Sequence, residues 1–181
     1  MKQINKYIQE RLHINKDIGN HNYNYHPKTR DELEELVKKL INERGDNTDL
    51  NDIDTSEITD MSYMFKESYF NGDISEWDVS NVKTMYGMFF ESSFTGENGD
   101  ISEWNVSNVK DMGYMFMWSK FNGDISDWDV SNVEDMNSMF RESKFTGKNG
   151  DISNWNVSKV KDMGAMFYRS PLQKNPPKWY Y

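Results

Sequence analysis

The sequence predicts an α/β repeat fold: five coils of 24 or 27 residues, each a short strand followed by a short helix, under an N-terminal helical cap. Three observations carry this reading. Four near-copies of one segment begin at Asp73, Asp100, Asp124 and Asp151, and a fainter copy begins near Leu50. Within every copy the large apolar residues recur at fixed places. Ahead of them, an apolar stripe from Leu33 to Ile41 lies between a capping residue and a glycine. Repeats of this length mark a solenoid, in which each unit buries its apolar face only against its neighbours.

The elements follow in chain order. Ile4, Tyr7, Ile8, Leu12 and Ile14 give residues 1–19 the pattern of a short amphipathic helix. The segment 21–27 interrupts it, with Pro27 pushing His26 toward an extended conformation. Thr29 and Glu32 then form a capping box. Leu33, Leu36, Val37, Leu40 and Ile41 fall on one helical stripe, and Gly45 supplies the stop. This helix is expected to cover the apolar edge of the first repeat; a partner-binding helix is the other use of such a stripe. The chain thus divides into a cap (1–49), the repeats (50–170) and a tail (171–181).

Each copy reads in two halves. In the copy at Asp73, Ile74, Trp77 and Val79 stand in the L-x-x-L-x-L order of a leucine-rich-repeat strand, with Glu76, Asp78 and Ser80 alternating outward. Val82 continues the core, and Asn81 is placed to satisfy backbone groups in the turn. Met85, Met88 and Phe89 then fall at i, i+3 and i+4, one face of a short helix. Trp77, Trp104, Trp128 and Trp155 are spaced 27, 24 and 27 apart, with Ile53 in the Trp place of the first copy, 24 before Trp77. The extra residues are Gly96-Glu97-Asn98 and Gly147-Lys148-Asn149, which points to duplication of a two-repeat block.

The shared pattern F-N-G-D-I-S-x-W-[DN]-V-S-N-V-x-D-M-x-x-M-F, over about residues 50–170, resembles the BspA-like leucine-rich-repeat surface protein family, including the related repeats of mycoplasma lipoproteins. The resemblance implies a right-handed leucine-rich-repeat-like solenoid, no catalytic residues to carry over, and binding to host or bacterial surfaces. The chain departs from that family in having no lipid-attachment Cys. Its first 20 residues also lack the apolar stretch of a secretory signal. As written it is expected in the cytoplasm, as a free-standing phage or bacterial accessory version, or at the cell surface if the sequence is trimmed.

Composition narrows the chemistry. Cysteine is absent, which removes disulfides and thiolate metal sites. Residues 1–49 are charge-neutral, whereas residues 50–170 carry 10 basic and 21 acidic side chains. Such a surface repels nucleic acid and anionic membranes. The three histidines, His13, His21 and His26, lie outside the repeats, so no Ser–His or Cys–His pair can form within them. No metal or other cofactor is expected. The Asn-Gly-Asp turns hold oxygen ligands suited to calcium, but read more simply as tight turns. Asp127 and Asp129 could act as acid and base, yet sister copies hold Glu76/Asp78, Glu103/Asn105 and Asn154/Asn156, which reads as a solvated stripe.

Function is therefore expected where the copies differ or face outward. The first candidate is the strand-face ladder Glu76, Asp78, Glu103, Asn105, Asp127, Asp129, Asn154 and Asn156, suited to a basic peptide or protein loop. The second is an exposed patch of Phe90, Met117, Trp118, Arg141 and Tyr168, in the two places after the Met-Phe pair, where all but Arg141 are apolar and other copies carry Lys66-Glu67 or Arg141-Glu142. Clusters of aromatic, Met and Arg side chains are typical protein anchors. The tail, with Trp179, Tyr180 and Tyr181, has the chemistry to fold over that patch. The expected function is a non-enzymatic protein–protein interaction module, an adaptor or inhibitor that is monomeric by itself and binds a protein with a basic surface. The alternative is an adhesin-type or carbohydrate-binding surface module.

Overall fold

The computed structural model describes residues 23–180. The helix expected within 1–19, and His13 and His21, lie outside them.

Helix α1 spans Arg30–Arg44. Thr29 is extended, and its hydroxyl oxygen accepts the Glu32 N–H at 3.3 Å. Glu32 reaches back to the Lys28 N–H at 2.7 Å, one residue short of a reciprocal capping box. At the other end Gly45, at φ 94°, donates to the Ile41 carbonyl. Leu33, Val37 and Leu40 are fully buried and share one core with Leu50, Ile53, Ile58 and Met61. Arg30 Nε donates to the Ser62 carbonyl at 2.9 Å, and Arg44 pairs with Asp52 at 3.0 Å.

Beyond α1 the expected fold is not found. Among the described residues the only other regular elements are 3-10 turns at Ile152–Asn154 and Pro171–Lys174. The repeats contain no strand, only single parallel bridges such as those joining Asp60, Thr84, Asp111, Asp135 and Asp162 in succession. The α/β leucine-rich-repeat-like solenoid of strand-plus-helix coils is therefore overturned; the chain is mostly turns and irregular backbone.

Hydrogen bonding explains why. In the presumed strand, the Asp73 carboxylate accepts the Ser75 N–H at 2.9 Å and Asp78 accepts that of Ser80 at 2.9 Å. Trp77 N–H donates to the Ile74 carbonyl and Val82 N–H to that of Val79. These local turns offer the backbone an alternative to a ladder. In the presumed helix, Met88, Phe90 and Ser92 each donate three residues back. The alternate N–H groups, those of Met85, Gly87, Phe89 and Glu91, donate at 2.9 Å to the carbonyls of Asp111, Gly113, Met115 and Met117 in the next repeat. Positive φ at Gly87 (59°) and Glu91 (54°) forces this alternation, and Tyr63/Glu67, Tyr114/Trp118, Ser138/Glu142 and Ala165/Arg169 repeat it. A helix tolerates no such residues.

The inward pattern survives the loss of regular structure. Phe65, Phe89, Phe116, Phe140 and Phe167 stack in one row at 5.5, 5.5, 5.7 and 5.8 Å. Phe70, Phe94, Phe121 and Phe145 form a second row beside it. Trp77, Trp104, Trp128 and Trp155 are only 3–5% exposed. Their indole N–H groups donate to the carbonyls of Leu50, Ile74, Ile101 and Ile125 at 2.9–3.2 Å. Trp179, 24 residues after Trp155, makes the same bond to Ile152 at 2.9 Å and stacks on Trp155.

The longer loops grip the shorter ones. Asn71 accepts from Thr95 N–H and hydroxyl at 2.8 and 3.0 Å, and Asn98 donates to the Asn71 carbonyl at 2.8 Å. Asn122 is held in the same way by Thr146 and Asn149. Gly72 is confined on the other side, since a Cβ there would lie 1.9 Å from the Thr48 carbonyl oxygen.

Candidate binding surface

The eight residues expected on a strand face are all exposed, but they sit in turns. Asp78, Asn105, Asp129 and Asn156 accept the N–H of Ser80, Ser107, Ser131 and Ser158. The Ser131 bonds hold the Asp129 carboxyl below its ordinary range. Glu76, Glu103, Asp127 and Asn154 complete the outward stripe. Asn81, Asn108 and Asn132 reach the preceding repeat, donating to the carbonyls of Ser56, Ser80 and Ser107 at 2.8 Å. The stripe is thus part frame and part acidic surface.

The patch after the Met-Phe pair is split. Phe90 and Trp118 meet edge to face at 5.4 Å, with Trp118 42% exposed and Lys66 over Phe90 at 5.7 Å. Farther along, Tyr168 is 41% exposed and carries the guanidinium groups of Arg141 and Arg169 at 5.1 and 5.2 Å. Glu142 draws both arginines toward it, at 3.6 and 3.8 Å. Met117 departs from expectation: it is buried, in a row between half-buried Phe90 and Arg141. Its backbone carbonyl, not its side chain, carries its inter-repeat bond, to Glu91 N–H.

Sequence reading missed a neighbouring row, Tyr63–Tyr86–Tyr114, with ring centroids 5.3 Å apart at each step. Burial, aided by the Tyr63 hydroxyl, pushes Tyr86 up to about 12. The signal was a Tyr in one or other of the two places between the methionines of three successive copies. The described part of the tail packs elsewhere, Trp179 stacking on Trp155 at 6.2 Å and Tyr180 meeting Phe167 at 5.0 Å, at the far end of the core rows; Tyr181 lies outside the described residues.

Among the described residues, shallow clefts of about 160 and 310 Å³ lie beside the loops at Gly147 and Gly96. Drug-sized ligands typically occupy about 300–1,000 Å³. Among the described residues no cluster of His, Asp and Glu could hold a metal ion, and His26 pairs with Asp54 at 3.1 Å. No helix among them is long and apolar enough to cross a membrane.

Five copies bonded to one another at alternate residues, with the outward side chains varied, define a repeat protein whose interior is frame and whose differences lie on its surface. Residues 31–146, and again 90–180, match the family described as Mycoplasma protein of unknown function, DUF285, and the chain belongs to that family. No curated protein and no solved structure matches it.

Proposed function

We propose that the chain is a non-enzymatic protein–protein interaction module, an adaptor or inhibitor that binds its partner through the aromatic surface, with the acidic stripe selecting a basic partner. The observation that carries this is the Phe90–Trp118 pair, with Trp118 exposed and Phe90 half-buried, where sister copies carry Lys66-Glu67 and Arg141-Glu142. An indole held by turns bonded to the next repeat loses little freedom on binding, which favours affinity. The acidic side chains of residues 50–170 favour encounter with a basic surface.

The test is affinity capture followed by mass spectrometry, repeated with Trp118→Ala and with Asp127→Lys. Truncating a central aromatic anchor costs about 2 kcal/mol or more, roughly a 30-fold loss of affinity. The identified partner should be retained by neither variant. Retention by both at undiminished affinity overturns the reading.

The alternative is an adhesin-type or carbohydrate-binding surface module. The Tyr63–Tyr86–Tyr114 row favours it, since Tyr63 is exposed, Tyr86 and Tyr114 are half-buried, and accessible ring faces can stack on sugars, and so does the likeness of the repeat to BspA-like surface proteins. A glycan array separates the two readings.

A further inference from the structure

In the Met-Phe segment of each repeat the inter-repeat bonds run one way. The N–H groups of Met61, Tyr63, Phe65 and Glu67 donate to carbonyls of the following repeat, and the rule holds through Met136, Ser138, Phe140 and Glu142, which donate to Asp162, Gly164, Met166 and Tyr168. The last repeat therefore presents N–H groups outward. Arg169 N–H finds the Gln173 side-chain oxygen at 2.6 Å, which shows what that rim requires. Met163, Ala165 and Phe167 N–H have no acceptor among the described residues.

Side chains on the same rim are uncovered. Val130, Val133, Met136 and Ser138 are buried in the preceding repeat. Their counterparts Val157, Val160 and Met163 are half-exposed, and Ala165 is exposed. Among the described residues, the tail aromatics shield the Trp155 and Phe167 side of this end.

We infer that the rim formed by Val157, Val160, Met163, Ala165 and Phe167 docks an extended segment of another polypeptide, one that offers carbonyl oxygens at alternate residues and apolar side chains against the valines. The occupant's chemistry follows from the interior of the molecule, where each such rim is met by the carbonyls and the Val and Met side chains of the next copy. A second copy of the described residues does not fit. Its carbonyl rim lies under α1, with Arg30 on the Ser62 oxygen, and two N–H rims would meet donor to donor. Exposed rows of unpaired backbone groups are templates for added segments of this kind.

The test uses the full chain with 15N labelling and a synthetic peptide of the sequence of residues 155–170, the segment that would form one more rung. Amide exchange at Met163, Ala165 and Phe167 should be fast in the chain alone and at least tenfold slower with the peptide. Val160→Asp, or Ala165→Glu should the first variant fold poorly, should abolish that protection while leaving the interior amides protected. A scrambled peptide should give none. Equal protection by the scrambled peptide, persistence of protection in the rim variants, no slowing by the repeat peptide, or slow exchange already in the monomeric chain would each overturn the inference.

Discussion

Replacing Trp128 by Phe tests the register of the whole interior. The indole N–H donates to the Ile101 carbonyl at 2.9 Å, and the ring lies between Trp104 and Phe116. Ile101 oxygen also accepts the Trp104 backbone N–H at 3.2 Å, so the substitution removes its second bond rather than stranding it. That loss is about 0.5–1.5 kcal/mol. The smaller ring leaves a void costing roughly 1 kcal/mol more, at ~24 cal/mol per Å³. Together, Trp128→Phe should destabilise by about 1.5–2.5 kcal/mol, or ~3–10 °C in Tm for a chain of this size. Trp118→Phe is the control: its ring is 42% exposed, and surface changes usually stay within ~0.5 kcal/mol. Urea and thermal unfolding of both variants, followed by fluorescence and near-UV circular dichroism, give the comparison. Equal effects at the two positions would refute the registered interior.

Two further outcomes follow from the turns. Burial, with the charges of Asp135 and Asp60 nearby, raises the Asp111 carboxyl, so folding disfavours its ionised form and stability falls as pH rises through the raised value. Asp111→Asn keeps an acceptor for the Gly113 N–H and should stabilise at pH 7, by the ~0.2–1 kcal/mol of a relieved like-charge contact, with the gain vanishing near pH 4; Tm against pH reads it directly. Asp52 behaves oppositely, since Arg44 lowers it and its contribution is lost on acidification. Glu91, at φ 54°, occupies a left-handed position costing about 1–2 kcal/mol, against ~0.5–1 kcal/mol of added chain freedom for glycine, so Glu91→Gly should raise unfolding free energy by about 0.5–1 kcal/mol.

Some of this was legible in the sequence. The stripe from Leu33 with Thr29 ahead of it became α1, and the repeated tryptophans became an aligned buried row. The strands and short helices were misread because apolar residues at i, i+3 and i+4 face one way on a helix and equally on consecutive turns. Glycine would have betrayed the left-handed positions, yet residues such as Tyr63, Glu67, Trp118 and Glu142 hold all of them in the Met-Phe segments except Gly87. Packing between repeats imposes that conformation against local preference. Trp179 was passed over as tail because Pro176 and Pro177 hide the motif around it, although its spacing of 24 from Trp155 matched the series. Within the aromatic patch, position in the repeat located Phe90, Trp118 and Tyr168 but not the depth of Met117.

Because Thr95 and Asn98 clasp Asn71, and Thr146 and Asn149 clasp Asn122, neighbouring copies are physically married in pairs. Excising residues 73–123 would set Asn71-Gly72 directly before Asp124, reproducing the native Asn122-Gly123-Asp124 junction and handing Asn71 to Thr146 and Asn149. Removing a single copy would leave either a clasp without its asparagine or an asparagine without its clasp. Lineages of such chains should accordingly grow and shrink by doublets.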